Sequence, residues 1–209
     1  MKVLPRLALL IERLESESHL IPNHRKELLQ SLAAHLEGQG SCRLIFICTH
    51  NSRRSHLAMI WAAVGASFYG LPQVATFSGG TEITAMNPRI AYALKQAGFE
   101  VDLSSESHAQ NNPTYLVTYR EDRAPLHCFS KKYNHPDNPK DDFAAIMVCS
   151  SADRDCPLVP GASYRLALPY EDPKVADGLP AEVQTYQSRL EEIGREILFV
   201  FKLAAEGKY

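Results

Sequence analysis

The sequence predicts an α/β fold around a mostly parallel sheet, and three features carry that expectation. Short apolar runs of the kind found in strands buried on both faces recur along the chain, beginning with Leu44-Ile45-Phe46-Ile47. Between them lie segments whose apolar residues repeat at helical spacing. The two kinds of segment alternate, which implies βαβ units.

Taken in order, residues 5–15 and 24–37 read as helices, with Leu7, Leu10, Ile11 and Leu14 on one face of the first and Leu28, Leu29, Leu32 and Leu36 on one face of the second. Pro22-Asn23 separates them, and Asn23 suits an N-cap. Gly38-Gln39-Gly40 reads as a short linker. Residues 1–40 thus form an N-terminal helical extension: a packing element, a dimerising element that would give a homodimer, or a cover over the active site. The main domain spans 41–209. After the first strand come a helix over 55–68, a strand at Val74-Ala75-Thr76-Phe77, and a helix from Pro88 to about Ala97, closed by Gly98. Residues 114–119 and 126–130 read as a strand pair joined by a charged turn. Residues 133–142 read as a polar surface loop, so that about 113–142 forms an insertion. Residues 143–148 and Tyr164 to Leu168 supply the third and fourth central strands, and 180–204 a closing amphipathic helix.

Bulk properties narrow the function. The formal net charge is −2 over 209 residues, with no basic stripe of the kind that marks a nucleic-acid or anionic-membrane binder. Any anion site must be local. No apolar run approaches the ~20 residues of a membrane span. The stretch after Met1 is cut short by Glu12 and Arg13, without a cleavage site, so it reads as an amphipathic helix of a cytoplasmic protein. Five cysteines, an odd number, argue against a secreted disulfide framework. Their spacing fits no structural zinc site. His108, His127 and His135 form no ligand pattern either, and no metal and no cofactor is expected.

The informative segment is Cys48-Thr49-His50-Asn51-Ser52-Arg53-Arg54-Ser55. A buried strand ends at its first residue and a helix begins near its last. Such a turn can aim successive backbone N–H groups into one concavity with a helix N-terminus behind it, which favours an anion. The same geometry favours thiolate over thiol. The Arg54 guanidinium can hold two oxyanion oxygens at once. Ser55 can donate to the thiolate, and Asn51 can brace the loop. Taken by itself, the segment also fits a buried structural cysteine followed by a solvated Arg-Arg pair. Its place at a strand's C-terminal end, where α/β ligand sites form, favours the functional reading.

Cys-x5-Arg-Ser after a first strand, with Asn three residues past the cysteine, resembles the low-molecular-weight protein tyrosine phosphatase family, which includes the thioredoxin-coupled arsenate reductases. The resemblance covers 42–204 apart from the insertion. It implies a four-stranded parallel sheet flanked by helices, Cys48 as nucleophile and Arg54 as oxyanion clamp. His50 departs from the pattern, because the family usually has glycine there. Histidine is one of the few other residues that visit positive φ, so either the loop is altered there, or His50 faces the ligand or the surface.

Displacing a substrate oxygen needs a proton donor. Tyr170-Glu171-Asp172-Pro173 follows the fourth strand, and its Asp-Pro is also an ordinary turn signal. The resemblance implies Asp172 as general acid, with Glu171 in reserve. Lys174-Val175 lacks the aromatics that flank a phosphotyrosine ring in the phosphatases.

Cys149 closes the third central strand and Cys156 follows seven residues later. If 149–156 is helical, the two lie about 10 Å apart along its axis at ~1.5 Å per residue, beyond the roughly 7 Å a disulfide allows between Cα atoms. Pairing them would need unwinding, which a Ser- and Asp-rich segment permits. The spacing resembles that of the arsenate reductases. It implies a relay in which Cys48 attacks arsenate, Cys149 resolves the adduct, Cys156 draws the disulfide outward and a thioredoxin-like partner reduces it. The alternative is a phosphatase using Cys48, Arg54 and Asp172 on a phosphate ester. A non-enzymatic binder or redox sensor on the same loop would need no acid. Cys42 and Cys128 read as packing residues. Some reductases of the family bind potassium near the loop, but Met59 stands where an acidic ligand would be.

Overall fold

Strand β1 (Cys42–Cys48) is the centre of the structure, a computed structural model that describes residues 3–37, 40–105 and 111–207. The remaining residues, among them part of the expected 38–40 linker and His108, lie outside the described ones. Ahead of β1 stand α1 (Pro5–Ser16) and α2 (Asn23–Glu37). Asn23, expected as a cap, is the first residue of α2. After β1 come α3 (Arg54–Phe68), β2 (Val74–Gly80) and α4 (Pro88–Gln96). A second group follows: β3 (Glu100–Leu103), β4 (Tyr115–Thr118) and β5 (Leu126–Cys128). The chain then returns through β6 (Phe143–Met147), α5 (Ser150–Asp155), β7 (Ala162–Ala167) and α6 (Glu182–Glu206).

The main sheet has the order β2-β1-β6-β7, and every pairing is parallel. β6 is buried at every residue and β1 at all but Arg43, as continuous apolar runs in a covered parallel sheet require. Cys48 aligns with Gly80, and Ile47 with Met147, so three strands end on one edge. Ligand sites of open α/β sheets form at that edge.

α6 is the spine against which α1, α2, α3 and α4 pack. Its closest approach is to α3. The Trp61 indole donates to the Leu190 carbonyl at 3.0 Å, and a Cβ on Gly194 would stand 2.6 Å from the Trp61 ring. Leu7, Ile11, Leu14, Leu29, Leu32 and Leu36 of the extension are buried in the same core as the sheet. Among the described residues no helix is long and apolar enough to cross a membrane.

The insertion differs from the expected strand pair. β3, β4 and β5 make a three-stranded antiparallel sheet, with Leu103 opposite Tyr115 and Tyr115 opposite Cys128. β3 escapes sequence detection because only Val101 of its four residues turns inward. The expected surface loop at 133–142 is anchored by buried Asn138, whose amide donates to the Ser78 and Tyr133 carbonyls at 3.0 Å each.

α3 is buried almost all round, and it carries fully buried His56. Burial, helped by the charge of Lys131, lowers this imidazole to about 3. The native protein therefore keeps His56 neutral while the unfolded chain protonates it near the ordinary ~6.5. Below that pH the unfolded state binds a proton that the native state does not, so stability is lost as pH falls from ~6.5 toward 3. In urea unfolding at pH 7.5 and pH 5.0, the wild type should lose about 2 kcal/mol more than His56→Gln, at ~1.4 kcal/mol per pH unit. Equal losses in the two proteins would contradict this account.

Candidate active site

The site is built on the turn from β1 into α3. Cys48 is the last residue of the strand and Arg54 the first of the helix. Asn51 takes the left-handed backbone conformation at φ 44°, whereas His50, the position considered for positive φ, does not adopt it. An Asn tolerates this region because its short polar side chain bonds locally. The buried Asn51 amide donates to the Ser55 hydroxyl at 2.8 Å, and its Oδ1 accepts from the Lys131 N–H at 2.8 Å. Ser55 lies 3.1 Å from the Cys48 sulfur. The loop carbonyls are occupied from outside. That of Thr49 accepts from the Glu82 N–H, that of His50 from the Ser130 and Thr84 hydroxyls, and that of Ser52 from the Asn87 N–H. A turn whose carbonyls are bonded outward in this way can present its N–H groups to an anion. Gly80 makes room for the turn, since a Cβ there would stand 2.7 Å from both Asn51 N and Thr49 O.

The two arginines separate. Arg53 braces the loop, donating to the Tyr186 hydroxyl at 2.8 Å and to Asp177 at 3.1 Å. Arg54 turns to the loop after β7, donating to the Tyr170 carbonyl at 2.9 Å and the Asp172 carboxylate at 2.6 Å, while its Nε is buried without a partner. Asp172 also accepts from the Lys174 N–H at 3.1 Å, so it caps the short turn at 173–176 while facing Arg54. Glu171 is exposed and meets Arg189 of α6 at 3.4 Å. His50 is exposed and stands 3.3 Å from Glu82.

Thr49, His50, Arg54, Ser150, Ser151 and the 169–172 loop line one open cleft of about 550 Å³. A neighbouring hollow of about 330 Å³ runs between Arg53, Met86 and Lys174. A further groove of about 380 Å³ lies between α4 and α6.

Cys149 is buried behind this cleft, next to Thr49 and Ser150 of its lining. The Val148 N–H donates to the Ile47 carbonyl at 2.8 Å, which continues the β1–β6 ladder to the residue before Cys149. Its buried sulfur lies 3.5 Å from the Thr49 hydroxyl. The same sulfur accepts from the Ala152 N–H at 3.4 Å and caps α5. Half-exposed Cys156 follows the last turn of that helix. So 150–155 is helical despite its weak propensity, with Cys149 and Cys156 as its two flanking residues, held by the cap and by Arg165, which donates to the Asp153 carboxylate and to the Asp153 and Cys156 carbonyls.

Several contributors carry no pattern in the sequence: Tyr186 and Asp177 behind Arg53, and Ser130 and Lys131 behind the loop. Among the described residues no group of three or more His, Cys, Asp or Glu could hold a metal ion.

The fold, a four-stranded parallel sheet flanked by helices, is like that of a low-molecular-weight protein tyrosine phosphatase. The enzyme from T. tengcongensis superposes with a TM-score of 0.50 over 78% of this chain and 100% of its own, at 18% identity. In sequence the chain is 23% identical over 155 residues to a protein named arsenate reductase 2 from Staphylococcus epidermidis, covering 70% of this chain and 96% of that one. It is 26% identical over 155 residues to an arsenate reductase of Bacillus licheniformis, covering 74% and 91%. No known protein-family profile matches the chain. The chain is thus similar in sequence to proteins named arsenate reductase and in fold to a low-molecular-weight protein tyrosine phosphatase.

Cys42 and Cys128 stand apart from the cleft. Burial, then nearby Asp142, pushes Cys42 up to about 11, and burial pushes Cys128 up to about 12. With iodoacetamide at pH 7.5 on the native protein, these two thiols should be modified much more slowly than half-exposed Cys156, as read by peptide mass. Modification of either buried thiol as fast as Cys156 would contradict the assignment.

Proposed function

We propose that the protein is an arsenate reductase working through Cys48, Cys149 and Cys156. The observation that carries this reading is the position of Cys149: its sulfur is 3.5 Å from a side chain of the oxyanion loop, at the head of a helix that ends at Cys156. The named relatives support it.

In the first step, N–H groups of the 49–55 loop and the Arg54 fork hold arsenate, and the Cys48 thiolate attacks arsenic. An As–O bond breaks and its oxygen leaves as water after protonation by Asp172. Arg54 must exchange the Asp172 carboxylate for substrate oxygens in order to bind, so substrate binding frees the acid. Ser55, 3.1 Å from the sulfur, donates to the thiolate. In the second step Cys149 attacks the Cys48 sulfur. The S–As bond breaks and its electron pair reduces arsenic(V) to arsenite, while two thiols become one disulfide. In the third step Cys156 attacks Cys149, releasing the Cys48 thiolate. The six residues of α5 separate these two, and at ~1.5 Å each they exceed disulfide reach, so α5 has to unwind. A dithiol protein of the thioredoxin kind then reduces the exposed Cys149–Cys156 bond. This redox cycle suits the cytoplasm.

The second reading, a phosphatase, shares the first step. It rests on Asp172 facing Arg54 across the cleft. The segment after the Asp-Pro favours the reductase: Val175 is 74% exposed and no aromatic stands there.

Reduced protein given arsenate without any reductase should lose two thiols per chain and release arsenite, and Cys156→Ser should accumulate a Cys48–Cys149 bond. No thiol loss, with steady aryl phosphate hydrolysis that requires Cys48, would establish the phosphatase instead.

A further inference from the structure

The loop that carries Asp172 is gripped from both sides by arginines. The Tyr170 carbonyl accepts from Arg54, and the preceding carbonyl, of Pro169, accepts from Arg25 at 3.0 Å. Arg25 belongs to the first turn of α2, in the extension that lies outside the span resembling the phosphatases. Its two remaining nitrogens meet both oxygens of Glu196 on α6, at 3.0 and 2.5 Å. Its guanidinium carbon stands 4.8 Å from the centre of the buried Tyr170 ring. The Arg25 side chain is 12% exposed and that of Glu196 4%. A buried ion pair is weak as a source of stability. Here all three guanidinium nitrogens are used, and one of them holds the backbone three residues before the candidate acid.

We propose that Arg25 is a positioning residue for the active site: from the N-terminal extension it fixes the 169–172 loop so that Asp172 faces the oxyanion held at Arg54. The proposal rests on the reading of Asp172 as the proton donor. It gives the extension a catalytic consequence, since α2 serves as the anchor through which α6 holds the acid loop. Lysine cannot replace Arg25, because a compact ammonium cannot serve the Glu196 carboxylate and the Pro169 carbonyl in a fixed fork.

The test is a mutant cycle on the single-turnover rate of the first step, read as arsenate-driven thiol loss or as phenol release from an aryl phosphate. Asp172→Asn should lower that rate by roughly 100-fold or more, the scale of general acid catalysis. The neutral pair Arg25→Gln/Glu196→Gln, which leaves no buried charge unpaired, and the single variant Arg25→Lys should each lower it about tenfold with KM changed less than threefold. Circular dichroism and thermal unfolding identify the folded variants. Combining either change with Asp172→Asn should give no further loss, because groups that act through one another are not additive. A full additional tenfold loss in the combined variants would show a general structural role and overturn the proposal, as would wild-type rates in both Arg25 variants. A wild type silent with both substrates would instead overturn the active-site reading beneath it, and the proposal with it.

Discussion

Asn51 carries a backbone conformation at φ 44° that most side chains resist, and the geometry of the loop from Cys48 to Ser55 depends on how its buried carboxamide is held. One end bonds Ser55, the serine beside the Cys48 sulfur, and the other accepts from the backbone of Lys131. A single side chain thus ties the sharp turn after β1 to the first turn of α3 and to the inserted segment. The parallel sheet supplies the frame, because β1, β2 and β6 end together where this turn begins.

Two polar layers surround that centre. The inner one consists of Cys48, Ser55 and Arg54, with Cys149 one strand away. The outer one holds the inner one in place: Ser130 and Thr84 on the His50 carbonyl, Tyr186 and Asp177 on Arg53, and Arg25, held by Glu196, on the 169–172 loop. Such supports matter because a reacting geometry about 1 Å loose can cost ~100-fold in rate. They also explain why the insertion and the extension are integral to the molecule: each supplies outer-layer bonds to a loop that belongs to the main sheet.

The inner layer was legible in the sequence because it is local. A buried strand, five residues and a helix bring Cys48, Arg54 and Ser55 together whatever the rest of the chain does. The four central strands were legible for a similar reason, since strands covered on both faces must be apolar throughout. The outer layer was not legible. Arg25 and Glu196 meet across 171 positions, and Asn51 and Lys131 across 80, and no local pattern announces such pairs. β3 was missed because a half-exposed four-residue strand has almost no periodicity to read. At the loop, positive φ falls at Asn51 and leaves His50 exposed beside Glu82. The segment from 150 to 155 was left open between helix and coil by its poor propensity. A sulfur cap and three bonds from Arg165 outweigh that preference.

The central claim is that the loop from Cys48 to Ser55 binds a tetrahedral oxyanion directly over the Cys48 sulfur. Inorganic phosphate, which the cysteines cannot reduce, tests it most directly. The rate of Cys48 carboxymethylation by iodoacetate would be followed by peptide mass against phosphate concentration, in the wild type and in Arg54→Ala. The account predicts saturable protection in the wild type that is lost in the variant. Carboxymethylation of Cys48 at one rate with and without phosphate would contradict it.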